Sequence, residues 1–70
     1  MVSIKEMKSC ENKNINLYFT DGEVWKNRKC LFFEEGLVEE DEESALIFKA
    51  GEHSSYEIYQ SQIEKIEILD

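Results

Sequence analysis

The stretch that decides the fold lies at residues 15–23 and reads Ile-Asn-Leu-Tyr-Phe-Thr-Asp-Gly-Glu. Its apolar residues alternate with more polar ones, which is the period-two pattern of a half-buried β-strand. Asp21 and Gly22 then form a favoured hairpin turn, because both residues tolerate positive φ angles. The stretch therefore predicts a strand with Leu17 and Phe19 facing inward, followed by a hairpin.

A long second strand is predicted directly after the turn, at residues 23–33, although its alternation is poor. A two-residue turn would place Val24 on the face of Phe19, whereas a four-residue turn would place Trp25 there. Apolar residues then occupy both faces at residues 30–33. This is expected of a strongly bent strand that contributes to both halves of a small barrel.

Three shorter strands are predicted in the second half of the chain, at residues 45–50, 56–60 and 64–69. All three glycines of the chain fall at or just after a predicted strand end, which supports these boundaries. The most regular apolar faces assign five residues to the core, namely Leu17, Phe19, Ile47, Ile58 and Ile66.

Residues 2–13 carry the pattern of a short helix. Ser3 and Glu6 fit the S-x-x-E capping box, and Ile4 and Met7 lie one turn apart. A strand over the same residues is the alternative, and the capping box favours the helix.

The order of these elements predicts a mainly β fold. We expect a small five-stranded antiparallel barrel of the Sm-like or SH3-like type, with a short N-terminal helix. Residues 1–70 are expected to form a single domain, with the helical segment at residues 1–13 and the barrel at residues 15–69. A core of this size supplies no more than roughly 3–5 kcal/mol of stability.

Two segments resemble Sm-like proteins. Residues 15–23 resemble their first strand and Asp-Gly turn, and residues 56–66, Tyr-Glu-Ile-Tyr-Gln-Ser-Gln-Ile-Glu-Lys-Ile, resemble their last two strands. RNA-binding Sm proteins use an Asp-x-φ-x-Asn loop after the second strand and an Arg-Gly pair between the last two strands. The corresponding residues 33–40 contain no Asn, and residues 59–62 contain no Arg. The resemblance therefore implies the fold without the family's RNA-binding residues.

The chain is also similar to the Rof family, the small acidic inhibitors of the Rho terminator. The similarity consists of an N-terminal helical segment, an Asp-Gly-Glu turn and an Sm-like barrel. Because that family acts by occupying a basic nucleic-acid-binding partner, the resemblance implies a binding protein with a basic partner.

The charge of the chain also favours a basic partner. Sixteen acidic residues face eight basic ones, giving a formal net charge of −8, which repels nucleic-acid phosphates and attracts basic protein surfaces. The strongest concentration is the acidic run Glu39, Glu40, Asp41, Glu42 and Glu43, which like-charge repulsion should keep as a mobile loop. We expect this run to contact the partner, together with Tyr18 and Tyr59, which lie opposite the apolar faces.

One basic cluster, Lys26, Arg28 and Lys29, supports an alternative function as an Sm-like RNA-binding domain, because it could contact phosphates. The favoured interpretation is that these cations offset carboxylates on neighbouring strands, namely Glu57, Glu64 or Glu67. Like charges at these outer positions also disfavour ring assembly, so we expect a monomer or a dimer.

No catalytic, metal or cofactor site is expected. His53 is the only histidine and lies in a polar turn, and Cys10 and Cys30 have no nearby ligand partners. The first fifteen residues carry lysines and glutamates where the apolar region of a signal peptide would lie. No apolar run reaches the length of a membrane span. We therefore expect a cytoplasmic protein without membrane contact, with both thiols reduced. The predicted function is that of a non-enzymatic interaction or regulatory module.

Overall fold

The computed structural model describes residues 1–70 and contains a short helix followed by a five-stranded antiparallel sheet. Sheet order is β4-β3-β2-β1-β5, and the mainly β fold with an N-terminal helix is confirmed. None of the helices is long and apolar enough to span a membrane. The elements are α1 (Ile4–Ser9), β1 (Lys13–Phe19), β2 (Val24–Glu34), a 3-10 turn (Val38–Glu40), β3 (Ala45–Lys49), β4 (Ser55–Tyr59), a second 3-10 turn (Gln60–Gln62) and β5 (Ile63–Ile68).

The N-terminal helix begins with the predicted capping box. The Ser3 hydroxyl accepts the backbone N–H of Glu6 at 3.0 Å, and the Glu6 carboxylate accepts the backbone N–H of Ser3 at 3.3 Å. These bonds satisfy amide donors that the first turn of a helix otherwise leaves free. The helix is thus confirmed, and the alternative strand is wrong. Met7 and the C-cap residue Cys10 are fully buried against the sheet.

The β1–β2 hairpin has a three-residue turn at residues 20–22, so neither predicted turn length is right, although Trp25 lies on the Phe19 face as the four-residue alternative expected. The Phe19 N–H donates to the Glu23 carbonyl at 2.8 Å, and Gly22 adopts a φ of 95°. Leu17 pairs with Trp25, which brings the Trp25 ring to the Phe19 face, with the two centroids 5.1 Å apart.

Strand β2 is bent, as predicted. One bulge lies near Asn27, whose φ is 51° and whose N–H donates to the Asn16 side chain at 2.9 Å. A second bulge lies between Cys30 and Phe32. The Trp25 ring on β2 reaches the Tyr56 ring on β4 at 5.3 Å, although strand β3 lies between them. Because bulges bend and twist a strand, the two in β2 curve the sheet and help to bring these rings together.

The core lies between the helix and one face of the curved sheet. Leu17 and Ile58 are buried there as predicted, whereas Phe19 and Ile66 are only partly buried against the cluster. Its ten buried members are Val2, Met7, Cys10, Ile15, Leu17, Cys30, Leu46, Phe48, Ile58 and Ile63.

Ile47 is buried, as predicted, but it lies outside this core cluster. Its neighbours Leu46 and Phe48 face inward, so strand alternation places Ile47 on the opposite side of the sheet. There it lies between Phe32 of β2 and Glu57 of β4, and it is 8% exposed. The sequence Leu-Ile-Phe is apolar on both faces of β3, and this obscured which face is the core.

Candidate functional site

The outer face of β2, β3 and β4 carries two rows of paired residues. In one row, Ala45 of β3 lies between Glu34 of β2 and Tyr59 of β4. In the next row, Ile47 of β3 lies between Phe32 of β2 and Glu57 of β4. Side chains two residues apart on a strand point to the same side. These six residues therefore form one surface, called here the outer face, with Ala45 and Ile47 buried beneath exposed neighbours.

The segment between β2 and β3 folds back over the end of the outer face. The Gly36 N–H donates to the buried Ser44 hydroxyl at 3.0 Å, and Asp41 turns the chain with a φ of 55°. The Glu43 carboxylate accepts the N–H of Ser61 at 2.8 Å and its hydroxyl at 3.0 Å. The predicted mobile loop is thus a turn tied by hydrogen bonds to the β4–β5 connection.

This turn and the outer face enclose an open pocket of about 340 Å³. Its lining contains six carboxylates and one aromatic ring, and no lysine or arginine contributes to it. No three of its acidic groups are arranged to hold a metal ion. We call this feature the acidic pocket; its lining residues are Glu34, Glu35, Gly36, Asp41, Glu42, Glu43, Glu57 and Tyr59.

The carboxylates of the acidic pocket have no cationic partners within the protein. Only two contacts of 4.0 Å or less between basic and acidic side chains occur in the structure, and both lie elsewhere. One joins Lys65 and Glu67 at 3.6 Å on β5, and the other joins Glu52 and His53 at 4.0 Å in the exposed β3–β4 turn. The negative charge of the pocket is therefore not neutralised within the protein.

Tyr59 stands at the rim of the acidic pocket and is 39% exposed. Its hydroxyl donates to the Glu57 carboxylate at 3.2 Å, while its backbone N–H donates to the Gln62 side chain at 2.9 Å. The charge of Glu57 and this hydrogen bond raise the pKa of Tyr59, and the charges of Glu34 and Glu43 act in the same direction. The phenol thus lies in the negative field of three carboxylates.

The predicted acidic run is divided by the structure. Asp41, Glu42 and Glu43 line the acidic pocket, whereas Glu39 and Glu40 do not. Sequence reasoning missed three further carboxylates that complete the lining, Glu34, Glu35 and Glu57. The signal for one of them was present, because strand alternation already placed Glu57 on the face of Tyr59.

Tyr18 does not join Tyr59. It lies on β1, which β2 and β3 separate from β4. Its hydroxyl donates to Glu67 at 2.6 Å, and the Lys65 ammonium lies 5.4 Å from its ring centroid. The two tyrosines expected to contact a partner therefore belong to different surfaces.

The basic cluster of Lys26, Arg28 and Lys29 is exposed on β2. The Arg28 guanidinium lies 4.7 Å from the centre of the Trp25 ring, a cation–π contact. No carboxylate lies within 4.0 Å of these three cations, so their expected ion pairs with strand carboxylates are not formed. That expectation was wrong for all three proposed partners, Glu57, Glu64 and Glu67.

No family model, curated protein or solved structure matches this chain. The resemblances to Sm-like and Rof proteins stay predictions from the sequence.

Proposed function

We propose that the protein is a non-enzymatic interaction module that binds a basic segment of a partner protein in the acidic pocket. The observation that carries this proposal is the convergence of six carboxylates around Tyr59 with no intramolecular cation to neutralise them.

Repulsion between its carboxylates favours the binding of cations in the acidic pocket. Two like charges about 4 Å apart repel by about 1 kcal/mol even in water, so clustered carboxylates destabilise the free protein. Lysine or arginine side chains of a partner relieve this repulsion. The net charge of −8 also speeds the approach of a basic surface at low salt. The exposed Tyr59 ring offers a face on which a cation can rest.

Two sequence-based expectations belong to the same proposal. The similarity to the Rof family supports a basic protein partner, and an Sm-like barrel is the architecture that this similarity implies. Two free, buried thiols at Cys10 and Cys30 are in keeping with a reducing compartment, which supports a cytoplasmic location.

A peptide titration with two matched variants tests the proposal. We expect a labelled lysine-rich peptide to bind the wild type in a salt-sensitive manner. Glu34→Gln/Glu35→Gln should weaken binding at least about fivefold, since it removes two charges from the pocket lining. The control Glu39→Gln/Glu40→Gln removes the same charge outside the lining and should have a much smaller effect. Equal effects of the two variants would show that total charge, and not the pocket, determines binding.

RNA binding is the second candidate, and one observation favours it. Lys26, Arg28 and Lys29 are exposed without carboxylate partners, and Arg28 is held over Trp25. Such cations are available to phosphates, although the net charge of −8 opposes the approach of a nucleic acid. Loss of oligonucleotide binding in Lys26→Ala/Arg28→Ala/Lys29→Ala would support this candidate.

A further inference from the structure

We infer that the partner segment is amphipathic: its apolar side chains rest on the exposed Phe32 ring of the outer face while its cations enter the acidic pocket. This inference rests on the proposed function and specifies the chemical class of the partner.

The exposure of Phe32 is the observation that points to an amphipathic partner. The Phe32 side chain is 59% exposed although it lies on β2, the middle strand of the sheet. It pairs with Ile47 on the side opposite the core, but Ile47 is only 8% exposed, so the Phe32 ring is the apolar surface that nothing in the protein covers. Covering an exposed aromatic ring with apolar atoms favours association.

The apolar surface and the acidic pocket are continuous. Glu34 follows Phe32 by two residues on the same face of β2, and it lines the pocket. Glu57 pairs with Ile47 and also lines the pocket. A segment lying across the outer face therefore meets apolar and acidic side chains at neighbouring positions.

The charge of the outer face determines which kind of partner can bind there. A second copy of this chain would bring an equal charge of −8 and the same carboxylates against Glu34 and Glu57. A purely apolar partner would bury these carboxylates without counter-ions, which is costly. A segment that carries cationic and apolar side chains together satisfies both parts of the surface.

Two synthetic peptides of equal length and charge separate the apolar contribution from the ionic one. One repeats Lys-Lys-Val-Val, which places both side-chain types on each face of an extended chain, and the other repeats Lys-Lys-Ser-Ser. We expect the wild type to prefer the valine peptide about tenfold in fluorescence anisotropy titrations. Phe32→Ser should abolish this preference and leave the affinity for the serine peptide unchanged, whereas Phe32→Leu should retain most of it.

Leu69→Ser is the matched control, because Leu69 is 50% exposed and lies just beyond β5, at the other edge of the sheet. It should leave the preference intact. A preference that survives Phe32→Ser overturns this inference, while the proposed function stands if Glu34→Gln/Glu35→Gln still weakens binding of the serine peptide. Failure of both peptides to bind the wild type overturns both. Self-association that Phe32→Ser removes, measured by light scattering, would identify a second copy as the occupant and also overturn the inference.

Discussion

Gly36 lies so close to Glu42 that a Cβ atom at position 36 would overlap the Glu42 carbonyl oxygen. The φ of Gly36 is not positive, so space and not backbone conformation requires glycine here. This close approach folds the acidic segment over the end of β2 and forms one wall of the acidic pocket.

Gly36→Ala should therefore displace this wall. We expect a loss of about 1–3 kcal/mol in the free energy of unfolding, as for other overpacked sites, together with weaker binding of the lysine-rich peptide. Gly51→Ala is the control, because the nearest atom to its new Cβ would be the Ser54 hydroxyl oxygen at 3.4 Å. Urea denaturation and peptide titration of both variants measure the difference. Equal stability of the two variants would contradict the packing of the wall.

Two phenylalanines on opposite sides of the sheet should respond differently to truncation. Phe48 is 1% exposed and belongs to the core cluster, so Phe48→Ala should cost about 3–5 kcal/mol, comparable with the whole stability of a domain this small. Phe32→Ala should cost less than about 1 kcal/mol, because the ring is already exposed. Circular dichroism and urea denaturation compare the two, and similar losses would show that the faces of the sheet are misassigned.

The two thiols should make the protein less stable in alkali. Burial raises the pKa of Cys10 from 9.0 to about 12 and that of Cys30 to about 11. Above about pH 9 the unfolded chain loses these protons while the folded protein keeps them. The contribution of the protonated thiols to the free energy of unfolding is therefore complete below about pH 9 and is lost as the pH rises towards 11–12.

Urea denaturation across this alkaline range measures the effect. The raised pKa values of Tyr18 and Tyr59 act in the same direction, so the thiols are isolated by comparison with Cys10→Ala/Cys30→Ala. We expect this variant to be less stable near neutrality and to lose stability less steeply with pH. A wild-type stability that is constant or rises over the range would be inconsistent with buried, protonated thiols.

The protein should be a monomer or a dimer in solution. Strands β4 and β5 form the two edges of the sheet, and edges are the sites at which sheets of different molecules pair. Outer positions of these strands carry Glu57, Glu64 and Glu67, and like charges facing each other across a pairing are unfavourable. Light scattering should give one or two times the mass of the chain. A six- or sevenfold mass would indicate a ring and would strengthen the RNA-binding alternative.

The elements that the sequence predicts well are those specified by local chemistry. The Ser3–Glu6 capping box, the turn at Gly22 and the alternation of β1 each depend on residues close together in the chain. The hairpin length could not be predicted in the same way. Sequence patterns offered turns of two or four residues, whereas the folded register has three and packs Trp25 against Phe19.

The acidic pocket could be predicted only in part, because residues from distant segments form it. Glu34 and Tyr59 lie in one row because both pair with Ala45, and this row depends on the register of β2 against β3. A bulge between Cys30 and Phe32 sets that register, and nothing in the run of apolar residues indicates which of them bulges. The acidic run was recognisable as a charge cluster, but its division into pocket-lining and outlying residues depends on the turn around Gly36.

The most direct test of the central claim compares two ligands on one protein under one condition. The wild type is titrated with the Lys-Lys-Val-Val peptide and with a mixed pool of RNA oligonucleotides at physiological ionic strength. We predict peptide binding that weakens with added salt and is reduced by Glu34→Gln/Glu35→Gln, and no appreciable RNA binding. Micromolar or tighter RNA binding that is lost on substitution of Lys26, Arg28 and Lys29, with no peptide binding, would contradict the account.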